Sequence, residues 1–171
     1  VEAKFLIDSF LKVVGHHDIL RTTFELRDGE LIQVIHDELS PIIEEYDVSQ
    51  VDEMEKESHN ILYHQARAPF DLKDGPLVRL VLVKKGTKDL DVLVSMHHII
   101  TDKWSMRVLR QDWAAYYSSL VNRKDVEGLS RGMRYLDHAV QLKNRTIGEA
   151  DLDYWKKKLS GLTEELPLDH D

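Results

Sequence analysis

The chain has 171 residues, 23 Lys+Arg against 31 Asp+Glu, a formal net charge of -8, and 42% hydrophobic with 32% charged residues. That length and apolar content suit one globular unit with a real core and exclude collagen-like, low-complexity and wholly disordered chains. The absence of cysteine removes disulfides, thiolate nucleophiles and cysteine-based zinc sites, and the acidic balance argues against a nucleic-acid partner, whose grip on phosphates needs clustered Lys and Arg.

In chain order, Leu6, Phe10, Val13 and His17 step by four, three and four, the stripe of an amphipathic helix that ends between Gly15 and Asp18. Thr22–Leu26 and Leu31–Ile35 read as strands around Asp28-Gly29, a strong hairpin signal. An extended piece, Ile42–Tyr46, leads to a polar helix over Asp52–Arg67 that Pro69 brings to an end. Leu77–Val83 and Leu90–Met96 are the most apolar runs. A polar loop joins them, so they predict two antiparallel strands, both central in a covered sheet. Met106, Leu109, Trp113, Tyr116 and Leu120 mark a helix over Lys103–Val121, and two shorter helices are expected at Tyr135–Lys143 and Asp151–Leu159. No repeat or linker divides the chain, which reads as one unit of α+β or mixed-sheet α/β type.

The sharpest chemical feature is Met96-His97-His98-Ile99-Ile100-Thr101-Asp102-Lys103-Trp104-Ser105, where an apolar strand gives way to a helix. Strand neighbours point to opposite faces, so continued alternation places His97 with Ser95 and Leu93, and His98 with Met96 and Val94. One histidine is then structural and the other free to act as a base, since an imidazole titrates near neutral pH. Asp102 either caps the following helix or holds the loop through an arginine partner.

His16 and His17 fall at a helix C-terminus, where the dipole accounts for them. His59 and His64 are five apart, off the spacing of a zinc-binding His-Glu-x-x-His helix, and no metal site is expected. Dinucleotide, phosphate-loop and nucleophile-elbow motifs are absent from the sequence. No apolar run reaches the roughly 20 residues that span a bilayer, and the first residues do not resemble a signal peptide, so the expectation is a cytoplasmic protein without a membrane partner.

His97-His98-Ile99-Ile100-Thr101-Asp102-Lys103-Trp104-Ser105 resembles the His-His-x-x-x-Asp-Gly motif of condensation domains in nonribosomal peptide synthetases, Trp-Ser included. Other segments agree in order. His16–Phe24 resembles the family's Arg-His-Glu-x-Leu-Arg-Thr-x-Phe, and Ala68–Leu72 with Gly75–Leu77 resembles its Pro-Phe-Asp-Leu and Gly-Pro-Leu stretch. Tyr135–Ala139 resembles Tyr-x-Asp-Tyr-Ala, and Tyr154-Trp155 the Tyr-Trp pair that follows. Two positions depart: Lys103 stands for the motif glycine and His16 for the first arginine.

The resemblance implies a chloramphenicol-acetyltransferase-like lobe, a mixed-sheet α/β sandwich, of a two-lobed condensation domain. On that basis residues 1–171 correspond to the N-terminal lobe, with the family's opening segment expected before Val1 and the C-terminal lobe, then an adenylation domain, after Asp171. Donor and acceptor peptidyl carrier proteins would deliver thioesters on phosphopantetheine arms to a tunnel between the lobes, with no cofactor bound by the chain itself and no activity from the isolated lobe. His98 takes the catalytic position, either deprotonating or positioning the acceptor amine or stabilising the tetrahedral intermediate. His97, Asp102 and Arg21 are supporting residues, with Arg21 the expected partner of Asp102, and Lys103, Trp104 and Ser105 border the substrate channel. An epimerisation domain, or a catalytically silent lobe that only docks carriers, is the alternative within the same family.

Overall fold

The computed structural model describes residues 2–125, 133–145 and 148–162. Its described elements, in order, are α1 (Ala3–His16), β1 (Thr22–Arg27), β2 (Glu30–Ile35), β3 (Ile42–Asp47), α2 (Met54–Arg67), β4 (Val78–Lys84), β5 (Leu90–Met96), α3 (Lys103–Asn122), α4 (Tyr135–Lys143) and α5 (Glu149–Leu159), with short 3-10 turns at Asp18–Arg21 and His98–Ile100. The mixed α and β content matches the expected class, and each predicted element is present within a residue or two.

The organising strand is β4, whose first six residues are all buried. Leu80 and Leu82 pack on one side with Phe10 and Val13 of α1 and Leu109 of α3. On the other side Val81 and Val83 meet Ile61 and Leu62 of α2. Helices therefore cover both faces of this sheet, which is why β4 carries an unbroken apolar run rather than alternating apolar and polar residues. The sheet has the order β3-β4-β5, with β3 parallel and β5 antiparallel to β4. The parallel step is possible because α2 supplies the crossover between β3 and β4.

The expectation that both apolar strands are central is corrected here. Only β4 lies between two neighbours, whereas β5 ends the described strand order and most of its residues are half-buried. A strand with one paired edge and Asp91 in its run keeps partial solvent contact. Asp91 also accepts a 2.6 Å hydrogen bond from Oγ of the buried Ser58, tying β5 to α2.

Inside β4, Arg79 is buried among apolar residues and is retained by specific partners: its guanidinium donates to the carbonyls of Gln65 at 2.9 Å and Ala68 at 3.3 Å and lies over the Phe70 ring. It thereby binds the carbonyl end of α2, where cations are favoured. On the opposite face, α1 and α3 are joined by Phe10 and Trp113, whose rings meet edge-to-face at 5.0 Å. Trp113 Nε1 donates to Ser9 Oγ and to the Leu6 carbonyl, so the indole brings its polar atom into the core already satisfied.

β1 and β2 form a separate two-stranded sheet. Their turn places Asp28 at φ 54° and Gly29 at φ 82°, the left-handed pair that a tight hairpin requires. Arg21 secures its base. The guanidinium pairs with Asp18 at 2.9 Å and donates to the carbonyls of Val14, His36 and Asp37, linking the end of α1 to the end of β2.

The chain divides into two compact units, Val1–Arg134 and Tyr135–Asp171. In the second, α4 and α5 bury none of their described residues. Among the described residues, no helix is long and apolar enough to cross a membrane.

Burial sets the expected cost of truncation. Leu80 is fully buried and Leu31 is 64% exposed at the hairpin tip. Leu80→Ala is expected to cost about 2–5 kcal/mol in chemical denaturation, and Leu31→Ala to stay within about 0.5 kcal/mol of the parent.

Candidate functional site

The candidate site is built where β5 ends. The Met96 Cα partner is Val78, the first residue of β4, and His97 N–H continues this pairing by donating to the Leu77 carbonyl at 3.0 Å. There the strand stops. His97 becomes the cap of the 3-10 turn His98–Ile100, and its Nδ1 accepts the Ile99 N–H at 3.1 Å. The ring also stands edge-on to Phe70, centroids 6.5 Å apart. Ile100 then turns into the main core, which anchors the turn from below.

The two histidines therefore differ. The β5 ladder ends at Met96 but His97 keeps an extended backbone (φ -68°, ψ 136°), so strand alternation still sets the side His97 takes, and the turn that begins at His98 sets the other. His97 is half-buried and committed to the backbone, whereas His98 is exposed.

Asp102 begins α3. Its Oδ1 accepts the Ser105 N–H at 2.7 Å and the Ser105 hydroxyl at 2.6 Å, the geometry of a helix N-cap. The Ser105 hydroxyl, then its N–H, lower the Asp102 pKa below the usual carboxylate value, with a smaller lowering from the Trp104 N–H and the nearby His98 charge. Partial desolvation opposes them. Of the two roles read from sequence, the cap is the one present.

The expected Asp102–Arg21 pair is not formed. Arg21 is bound to Asp18 and to the carbonyls around the hairpin base, and the Asp102 carboxylate is engaged by Ser105. Each of the two side chains finds its partner within a few residues or on an adjoining segment. Lys103, Trp104 and Ser105 are exposed in the first turn of α3. Trp104, 68% exposed, is covered on one side by the Arg107 guanidinium, 5.3 Å from its ring centroid.

Beside this turn lies a cleft of about 170 Å³, lined by apolar Leu20, Met96, Ile100 and Leu109 and closed by His17, Thr101, Trp104 and Ser105, among others. Sequence reasoning did not find it, since its walls come from the end of α1, the Asp18–Arg21 turn, β5 and α3. Nor did it find the 2.7 Å contact of His17 Nε2 with Asp112 Oδ2, which crosses from α1 to α3. The available signal was Asp112 lying between Leu109 and Tyr116 at helical spacing, a carboxylate on an otherwise inward-facing stripe.

Residues 1–171 match the family model described as Condensation domain. Among curated proteins, the chain is 36% identical over 164 residues to one of the linear gramicidin synthase subunits of Brevibacillus parabrevis, covering 93% of this chain and 3% of that protein. It is 33% identical over 165 residues to enniatin synthetase of Fusarium oxysporum, covering 94% of this chain and 5% of that one. Two solved structures share the fold. The epimerization domain from the third module of tyrocidine synthetase B superposes with a TM-score of 0.84 at 24% identity, over 97% of this chain and 39% of the other. The starter condensation domain of rhizomide synthetase gives 0.83 at 21%, over 96% and 40%. The chain thus spans about two fifths of the solved domains and a few per cent of the synthases.

The lowered Asp102 pKa fixes the sign of a pH effect. A carboxylate with a folded-state pKa below its unfolded value contributes stability above the unfolded pKa and loses it as pH falls through the folded one. Asp102→Ala is therefore expected to lower Tm at pH 7, with the gap to the parent closing as pH drops below the ordinary carboxylate range. Thermal melts across that range check it, and a gap that widened in acid would contradict the capping role.

Proposed function

Because the chain belongs to the condensation domain family, we propose that it supplies the histidine-bearing part of an amide-forming site in nonribosomal peptide synthesis, as the N-terminal lobe of a two-lobed domain. The observation that carries this reading is the exposed His98 held on an anchored turn, with His97 occupied below it and a capping carboxylate, Asp102, beside it. A side chain intended to meet a substrate needs an anchored backbone and an unobstructed ring, and this turn provides both.

The substrates proposed are an acyl or peptidyl thioester on a donor carrier protein and an aminoacyl thioester on an acceptor carrier, each on a phosphopantetheine arm. The acceptor nitrogen attacks the donor carbonyl. A C–N bond forms, the C–S bond breaks, the donor arm leaves as a thiol, and the amine loses a proton. His98 is the group placed to position that amine or to receive its proton, and Asp102 keeps the start of α3 fixed beside it. Tethering two reactants in line removes much of the entropic part of the barrier, so one imidazole is sufficient chemical assistance. Lys103 is compatible with this reading because its exposed position at the first turn of α3 leaves the side chain room to lie in solvent.

Similarity to an epimerization domain supports a second reading, in which the same imidazole moves a proton at the α-carbon of one tethered residue. The full synthetase that contains this segment, assayed with loaded carriers, separates the two. Amide formation is expected from the parent, with His98→Ala slower by about 10²- to 10⁴-fold, the usual contribution of a general acid or base. Unchanged turnover in His98→Ala would overturn the assignment. Chiral analysis of the released product showing inversion without chain extension would establish the epimerase reading instead.

A further inference from the structure

The other chemically capable cluster among the described residues lies between α1 and α3. His16 and His17 close α1, Asp112 lies midway along α3, and one ligand atom from each falls within 4.8 Å of the others. All three are half-buried. His17 Nε2 and Asp112 Oδ2 are already 2.7 Å apart, and the His16 and His17 rings meet edge-on with centroids 4.9 Å apart. His16 Nδ1 lies 3.4 Å from the Tyr116 hydroxyl of α3. Adjacent histidines at a helix end are accounted for by the dipole when read alone. Asp112, 95 residues beyond His17, changes their chemistry.

We propose that His16, His17 and Asp112 form a binding site for a divalent transition-metal ion of the zinc class. Two imidazoles and one carboxylate are the donor set of three-ligand zinc centres, whereas calcium and magnesium favour sets made of oxygen. Ligand atoms on bonds of about 2.0–2.1 Å stand roughly 3.4 Å apart around a tetrahedral ion. To reach that spacing the His17–Asp112 pair opens from 2.7 Å and separations of up to 4.8 Å close, each by movements of about 1 Å that side-chain rotation can supply. The ion would replace the His17–Asp112 hydrogen bond and leave a fourth position open. The Tyr116 hydroxyl, 3.4 Å from His16 Nδ1, serves as an outer partner that orients the imidazole when His16 binds the ion through Nε2. His17 also lines the cleft next to Ser105, so an occupied site would lock α1 to α3 and stiffen that wall.

The test is titration of the purified chain with Co²⁺, followed by its visible d–d absorption, by competition with Zn²⁺ and by thermal melting. The expected result is one bound ion per chain, displaced by Zn²⁺, and a Tm that rises with Zn²⁺ as binding to the folded state requires. His16→Gln, His17→Gln and Asp112→Asn are each expected to weaken binding by at least about tenfold, the loss that even outer-partner changes cause. His59→Gln on α2 is expected to bind as the parent does. Asp112→Asn retains an oxygen that can accept from His17, so it tests the ligand charge with the helix contact kept, and circular dichroism verifies its fold. Failure of the parent to bind in the micromolar range, or Co²⁺ spectra unchanged in all three variants, would overturn the site.

Discussion

The burial of β4 on both faces is the constraint on which the rest of the structure depends. A strand covered from both sides has no polar face to turn toward water, so each of its residues must find an apolar neighbour or a fully bonded one. Leu80 and Leu82 satisfy this against α1 and α3, and Val81 and Val83 against α2. Arg79 meets it only in part: its Nη1 donates to the carbonyls of Gln65 and Ala68 at the end of α2, while its buried Nε has no hydrogen-bond partner among the described residues. One strand therefore fixes the positions of three helices.

The same constraint places the histidine turn. β4 dictates the register of β5, and the last rung of that ladder passes through Leu77 to His97. Because β5 pairs with a strand locked in the core, its end is held firmly. Ile100 then sinks into the core and forces the backbone to turn sharply, leaving His98 on the outside. The exposed histidine is thus held by groups that are themselves buried or bonded, although its own ring is not. Asp102 extends this arrangement by starting α3 at a defined residue, and α3 returns across the sheet to pack on α1.

Packing α1 against α3 has a further consequence. The Phe10–Trp113 contact aligns the two helices so that His17 meets Asp112 and lines one side of the apolar cleft. The cleft, the His16–His17–Asp112 cluster and the histidine turn are neighbours because one helix, α3, borders all of them. By contrast α4 and α5 bury none of their described residues, and Tyr154 and Trp155 are more than half exposed.

Much of this is readable from the residues alone. The periodicities around Phe10 and Leu109, the Asp-Gly turn and the unbroken apolar run of β4 are local signals, each set by backbone geometry and the need to bury apolar groups within a short window. The His-His-x-x-x-Asp spacing likewise marks the strand-to-helix junction, with Asp102 at the place of a cap. What the tertiary structure decided were choices between distant partners: β3 beside β4 in parallel, β5 at the end of the strand order, Arg21 with Asp18 and the hairpin base rather than Asp102, and His17 with Asp112. It also decided where strand alternation stops: β5 pairing ends at Met96, His97 stays extended and caps the turn, and the turn that carries Ile100 into the core begins at His98. A sequence specifies which groups must be buried or bonded. Only the packed chain selects which of the available groups, often a hundred residues away, does it.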